Sequence, residues 1–399
     1  MTQDAKPNKS INWAEIFSYL TIILAIALNT SLTISWIAII VLLLLALVKH
    51  GPVAAFKQAW RAPFMVPILV FVLISFVSGL AAGGLKEGLS SLTTARGFVI
   101  YPVLYLVLDN QKVIARGFYG WLIAGAICGV MGLIEGVFNY HPFTTYQYLQ
   151  ATGFLNNPMT YAGIMQLTSF MAAGHLAALF VNRKSTSINT LALPLVLLCA
   201  NFVGLLFAAE RSAWLGMVAG VLVLTLRISR KAFLLGILVL SFSVVAGYFA
   251  VPVVKTRLQS ASNWQADQSI TLRLKVWQIA LDTFKTSPVL GAGPRNFPRI
   301  PTDAVPGESK DLNHGHSNYM HVLATLGVLG LISFAWLVMA PFIATWRAAQ
   351  EPGWPDGINL GLMAALASLM VAGIFEYNFG SGQVRLAEWF CLAFYRPRK

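Results

Sequence analysis

Charge is what this sequence has least of. Asp, Glu, Lys and Arg together make up 11% of its 399 residues, where a soluble domain carries roughly 25%. With 57% hydrophobic residues and a mean hydropathy of +0.68, the chain lacks the polar surface a water-soluble enzyme needs, and lipid takes its place. Acidic residues are scarcer still, 15 against 28 basic ones, for a net charge of +13. In a soluble protein that balance would suggest nucleic acid. Here the basic residues fall between apolar runs, where the positive-inside bias of membrane proteins accounts for them, so no nucleic-acid partner is expected. Cysteine is almost absent. Cys128, Cys199 and Cys391 lie in apolar surroundings without metal-ligand spacing, which excludes a disulfide framework and reads as small buried hydrophobes. The first apolar run has no small-residue cleavage site and is soon followed by a second, so no cleavable signal peptide is expected.

What is abundant is apolar runs of membrane-spanning length. They fall near residues 13–30, 32–48, 62–83, 92–108, 113–137, 159–181, 189–208, 212–228, 230–250, 316–346, 356–375 and 383–396. The expected fold is an all-α polytopic membrane protein of about twelve transmembrane helices, forming one integral membrane domain over 1–399. Lys49, Lys57, Arg61, Lys112, Arg116, Arg183, Lys184, Arg227, Arg230, Lys231 and Arg347 fall in alternate short connections, while the other short connections are nearly bare. That asymmetry predicts both termini in the cytoplasm. It leaves residues 251–315 as a large outer loop, long enough to be exempt from the charge rule.

Three features of the outer side carry chemistry. In "LLFAAERSAWLG", Glu210 and Arg211 sit in a turn so short that both must lie at the membrane face. They either satisfy one another or lipid headgroups, or they aim a cation at an anionic ligand. Within the loop, "QSITLRLKVWQIALDTFKTSPVLGAG" repeats Ile270, Leu274, Trp277, Leu281 and Phe284 at helical spacing, which predicts an amphipathic helix ending near Ser287. Arg273 lies at the edge of its apolar face. The helix is either a plain interfacial anchor or a carrier for that arginine. "GAGPRNFPRIP" follows as a shaped coil bearing Arg295 and Arg299, without the spacing of a nucleotide-binding phosphate loop.

The third feature is "DLNHGHSNYMH", with Asp311, Asn313, His314, His316, Ser317, Asn318, Tyr319 and His321; it holds three of the six histidines in the chain. Metal binding, an interface cluster, or a ligand-orienting imidazole active near neutral pH each fit such a run. No acidic residue stands in register with a His pair as in zinc hydrolases, and no metal is expected. "FLNNPMTYAG" (Asn156, Asn157, Pro158, Tyr161) and "GIFEYNFGSGQVR" (Glu376, Tyr377, Asn378, Arg385) face the same side. Glu376 at a span boundary calls for a cation, with Arg211, Arg273 and Arg385 as candidates.

Cations from separate elements and a histidine at a membrane face suit an amphiphilic, phosphate-bearing substrate, because the guanidinium fork matches phosphate oxygens and stays charged. "RSAWLG", "TLRLKVWQIALD", "GAGPRNF" and "HGHSNYMHVLATLGVLG" resemble the pattern of the bacterial O-antigen ligases, within the larger O-antigen ligase/polymerase family. The resemblance covers about residues 150–380 best. The His-Ser-Asn run at 316–318, followed by Gly327, is similar to the family's histidine motif, with Met320 where many members carry leucine.

That resemblance implies a GT-C-like glycosyltransferase of the bacterial inner membrane with a periplasmic active site. It implies transfer of a preassembled glycan from undecaprenyl pyrophosphate to a sugar hydroxyl of lipid A-core, with inversion and without cofactor or metal. The partners are then the lipid-linked O-antigen donor, the lipid A-core acceptor and membrane lipids. The family's two arginines map onto Arg211 and Arg273, and its catalytic histidine onto His316, with His314 next. Arg295, Asn318, Tyr319, Glu376 and Arg385 are further substrate-binding candidates. O-antigen polymerase and protein O-glycosyltransferase share the donor and differ in acceptor. A secondary transporter or lipid flippase is the alternative of another class; Glu135, Arg96 and Glu388, ionisable residues within apolar runs, are what favours it.

Overall fold

A chain this apolar has few ways to satisfy its backbone away from water, and helices satisfy it locally. The computed structural model describes residues 11–143, 150–181, 188–250, 252–262, 267–300, 313–349 and 356–395, and its regular elements there are helices. In chain order they are α1 (Trp13–Leu28), α2 (Leu32–His50), α3 (Pro52–Trp60), α4 (Met65–Ser91), α5 (Ile100–Val107), α6 (Gln111–Phe138), α7 (Pro158–Val181), α8 (Ile188–Phe207), α9 (Arg211–Ile228), α10 (Arg230–Ala250), α11 (Pro252–Ser262), α12 (Gln268–Thr286), α13 (Asn318–Ala348), α14 (Asp356–Phe375) and α15 (Gly382–Leu392). The chain is a multi-pass helical membrane protein by length and composition.

Nine helical runs among the described residues are long and apolar enough to cross a membrane, against the twelve expected. Helix α1 has only 16 residues and α15 only 11. The runs at 62–83 and 92–108 are joined in one helical stretch, Met65–Val107. There the chain turns back on itself at Gly83 and Gly84, so that a Cβ on Gly79 would lie 2.8 Å from the Glu87 carbonyl oxygen. A 3-10 turn (Leu92–Phe98) then breaks the returning limb. Composition cannot separate these cases, because a short helix buried by its neighbours is as apolar as a span. Helix α15 is of that kind, with Val384, Leu386, Ala387, Trp389, Phe390, Cys391 and Leu392 all buried.

Small residues let the central helices close. A Cβ on Gly174 of α7 would meet the Gly361 backbone nitrogen of α14 at 2.2 Å, and Gly216 of α9 is as close to the carbonyl oxygen of Ser368 in α14, at 2.4 Å. The α7, α9 and α14 core is therefore packed backbone to backbone. Helix α10 does the opposite, turning Leu234, Leu238, Phe242 and Phe249 outward. Two cysteines are buried as expected. Cys199, on α8, is exposed on the outside of the bundle, a correction to its reading as a buried hydrophobe.

The break in α13 positions the outer loop. At Gly327 (φ +67°) the helix is interrupted, and the carbonyls of Ala324 and Thr325 accept from Ala292 N (3.0 Å) and Gly293 N (2.9 Å) of the "GAG" coil. Val328 N donates to Pro288 O at 2.9 Å, and the Ser78 hydroxyl donates to Leu290 O at 2.6 Å. A Cβ at Gly327 would lie 2.4 Å from the Val289 carbonyl oxygen. Left-handed backbone costs a non-glycine residue ~1–3 kcal/mol, and this overlap adds to it. Gly327→Ala is therefore expected to lower the thermal midpoint in detergent and to loosen the coil that carries Arg295. An unchanged midpoint would show that the break tolerates a side chain.

Glu135, on α6, is fully buried but not idle. It accepts from Thr152 N (2.6 Å), Gly153 N (2.8 Å) and the Thr152 hydroxyl (3.2 Å). Its burial is explained by holding the turn ahead of α7, with no transport role needed.

Candidate functional site

Five elements meet at one end of the bundle: the starts of α7, α9 and α13, the end of α14, and the flank of α12. Each start is built by local rules. Asn157 caps α7, its Oδ1 accepting from Met159 N (2.9 Å) and Thr160 N (3.1 Å), with Pro158 in the first turn. Asp267 caps α12 through Ser269 N (3.0 Å) and Ile270 N (3.2 Å). Ser317 caps α13. Asn318 then ties α13 to the turn after α14, its Nδ2 donating to Asn378 Oδ1 (2.6 Å) and its Oδ1 accepting from Phe379 N (3.0 Å).

Helix α12 runs to Thr286, as its periodicity requires. Its buried contacts on α13 are Val276 and Ala280, packed with Phe297, Ile300 and Ala324. The stripe of Ile270, Leu274 and Trp277 instead lines an apolar groove of about 280 Å³, together with Leu215, Phe375, Arg211 and Arg273. Helical spacing identified an apolar stripe; which neighbour it meets depended on where α13 lies.

Behind that groove is a polar cavity of about 280 Å³, walled by Arg211, Arg257 and Arg273 with Gln150, Asn157, Glu210 and Ser269. A larger, open cavity of about 710 Å³ adjoins it through the shared walls Asn157 and Met159. Its lining includes Arg295, Asn313, His314, His316, His321, Glu376 and Tyr377.

His316 is the most unusual residue in this space. Its φ of +44° is in the left-handed region that non-glycine residues rarely adopt. It is buried, and its Nε2 has no hydrogen-bond partner among the described residues. The His314 ring lies 4.4 Å away, centre to centre. Burial pushes the His316 imidazole down to about 3, with His314 and Arg273 adding repulsion, so the ring is neutral at physiological pH. Burial lowers His314 as well. His321 is held between Tyr377 (3.9 Å) and Phe297 (5.2 Å), with Gly315 N donating to its Nδ1 at 3.3 Å. It supports the His314–His316 turn from behind.

The arginines are fixed by specific partners. Arg211 forms a two-pronged pair with Asp267 at 2.6 and 3.1 Å, and that guanidinium holds the Asp267 carboxyl below its usual range. Its neighbour Glu210 instead receives Gln150 Nε2 at 2.7 Å. Arg273 donates from Nε to Phe375 O (2.9 Å), bonds Ser269, and stands 3.8 Å from Glu376. Among the three cations considered for Glu376, Arg273 is the one paired with it.

Burial pushes the Glu376 carboxyl up to about 7, the Glu210 charge adding to this and Arg273 opposing it. Its proton is thus retained in the folded state at pH values where an unfolded carboxyl has lost it. The associated stability is complete below about 4.5 and is lost as pH rises through about 7. Above that point ionised Glu376 competes for Arg273. Affinity for an anionic ligand at Arg273 is therefore expected to fall across pH 6–8. Glu376→Gln should flatten that profile in a binding titration; an unaltered slope would remove Glu376 from the account.

Of the residues expected at the site, His314, His316, Arg295 and Glu376 line the larger cavity, and Arg211 and Arg273 line the two smaller spaces. Three others lie behind these walls. Asn318 is engaged as above, Tyr319 donates to Met370 O at 2.9 Å, and Arg385 lies over the rings of Phe98 and Phe379. Asp311 falls outside the described residues. No group of three or more His, Cys, Asp or Glu side chains among the described residues is arranged to hold a metal ion. Reading the sequence missed Asp267 and Arg257. The first carries a legible signal, an aspartate just ahead of an amphipathic run; the second carries none.

Fold and site together define a polytopic helical membrane protein with a cationic, histidine-bearing cavity at one end of its bundle. Residues 193–335 match the family model of the O-antigen ligases, so that part of the chain is similar to those proteins. The matched stretch contains Arg211, Asp267, Arg273, His314 and His316, and stops short of Glu376. No curated protein shows a significant match to the chain.

Proposed function

We propose that this protein transfers a preassembled glycan from undecaprenyl pyrophosphate to a sugar hydroxyl of lipid A-core, as an O-antigen ligase. The observation that carries the reading is the succession of spaces: an apolar groove, then arginine walls, then an open polar cavity containing His316. A lipid-linked pyrophosphate glycan has the same succession of tail, anion and sugar.

In this reading the donor tail lies along Leu274 and Trp277, and the pyrophosphate lies against Arg211 and Arg273. Arg295 lies at the glycan's entry. The acceptor hydroxyl approaches the anomeric carbon from the side of His316, whose neutral imidazole accepts its proton as the new glycosidic bond forms. The bond from the anomeric carbon to the phosphate oxygen breaks on the opposite face, and the arginines stabilise the negative charge of the departing lipid pyrophosphate. Attack opposite the leaving group inverts the anomeric centre. No chain residue needs to be covalently glycosylated.

Orientation is supported by the far end of the bundle. There Glu15 pairs with Lys112 and Arg116, and Lys49 with Asp109, and Arg227 contacts the Trp346 carbonyl. By the positive-inside rule a basic end is cytoplasmic, which supports a reading in which the cavity faces the periplasm from an inner membrane. The test is transfer by purified protein in liposomes, given undecaprenyl-pyrophosphate-linked glycan and lipid A-core, with EDTA and without ATP. Glycan on the lipid A-core is the expected product. Longer lipid-linked glycans with unmodified core would make the protein a polymerase, and no transfer from either substrate would refute the reading.

A further inference from the structure

The polar cavity between groove and open cavity has three arginine walls, one of which belongs to neither sequence motif nor expected site. Arg257 stands on α11, ten residues before Asp267, and lines the cavity together with Arg273 of α12. The three guanidinia are not equivalent. Both terminal nitrogens of Arg211 are bonded to Asp267, whose other role is to cap α12, so Arg211 fixes the first turn of the helix that presents Arg273. Arg273 in turn is braced through Phe375 O and Ser269. Arg257 shares the cavity wall with the buried carboxyl of Glu210, on which it is the strongest opposing charge and which accepts from Gln150.

The acidic groups around this space are therefore Glu210 in its wall, Asp267 on Arg211, and Glu376 on Arg273 at 3.8 Å. Burial raises both Glu210 and Glu376 towards their neutral forms, and for Glu210 the strongest opposing charge is that of Arg257. The lining of the space itself carries three guanidinia against the single carboxyl of Glu210, so it holds more positive than negative charge. A small, multiply charged anion is what balances it.

We propose that Arg257 is a third anion-binding residue, and that Arg257 of α11 and Arg273 of α12 together hold the pyrophosphate while Arg211 contributes mainly by fixing α12 through Asp267. This rests on the proposed function for the identity of the anion. The division of labour has a chemical consequence. A bridging anion held by α11 and α12 at once ties the two loop helices together.

The test uses the full chain in detergent and inorganic pyrophosphate as the probe, with binding measured directly and not through transfer. Loss of one charge-assisted contact costs roughly 1.5–3 kcal/mol, or ~10- to 100-fold in affinity. Arg257→Gln is expected to weaken binding by at least ~10-fold, and Arg257→Lys to recover part of that, with the thermal midpoint unchanged in both. Arg273→Gln is the positive control. A folded Arg257→Gln variant with wild-type affinity, beside a weakened Arg273→Gln, would overturn the role of Arg257 and leave the proposed function standing. Wild-type protein that fails to bind pyrophosphate would overturn the anion site, and the proposed function would stand or fall by the transfer assay. Binding that depends on Arg257, in a protein that transfers no glycan, would support the anion site and refute the ligase reading.

Discussion

Alanine in place of His316 is expected to reduce glycan transfer by ~10²- to 10⁴-fold, the usual contribution of a positioned acid–base group. Donor affinity should stay within about threefold of wild type, since a neutral imidazole contributes little to holding a dianion. The reason lies in the residue's setting: a buried ring with an unpartnered Nε2 at the inner wall of the open cavity. Steady-state kinetics with donor and acceptor varied separately make the measurement. Because the backbone at position 316 is left-handed, with φ at +44°, His316→Gly relieves strain while removing the ring. It should be at least as stable as wild type and equally inactive, which separates lost chemistry from lost folding. If either variant loses donor binding together with transfer, His316 belongs to the pyrophosphate site instead.

The second large effect belongs to Arg273. Arg273→Gln should lower the rate of the chemical step by ~10²- to 10³-fold, the cost of removing one donor from a developing oxyanion, and should raise the donor KM as well. Lysine at this position is expected to recover little. Arg273 uses Nε on Phe375 O, Nη1 on Ser269 and Nη2 towards Glu376, and a single ammonium cannot reproduce that fork. The measurement is single-turnover transfer at saturating donor, with the thermal midpoint recorded for each variant. A rate that returns to wild type at saturating donor would restrict Arg273 to binding.

Several parts of this molecule were legible without coordinates, for identifiable reasons. The α12 boundary followed from helical spacing ending at Ser287 and Pro288, and the structure ends the helix at Thr286. The importance of Gly327 could be noticed as part of a motif, but its cause could not. Its break exposes the carbonyls of Ala324 and Thr325 to a coil more than thirty residues upstream. Arg257 was indistinguishable from other loop cations, because nothing in its flanking residues records that α11 places it in the wall of the cavity that Arg273 also lines. Arg385 shows the opposite failure. It looked like a site cation by proximity to Glu376, yet it lies against Phe98 and Phe379.

The sequence by itself determined the membrane class, the helical character and the end of the bundle at which polar residues collect. These follow from composition and period, which each stretch carries locally. Only the tertiary structure decided how many apolar runs are long enough to span, that Glu376 meets Arg273, and that Arg211 meets Asp267 rather than Glu210. Charge pairing and cavity shape depend on which helices become neighbours. In this bundle that is set by backbone-close packing at residues such as Gly174 and Gly216, and by the break at Gly327.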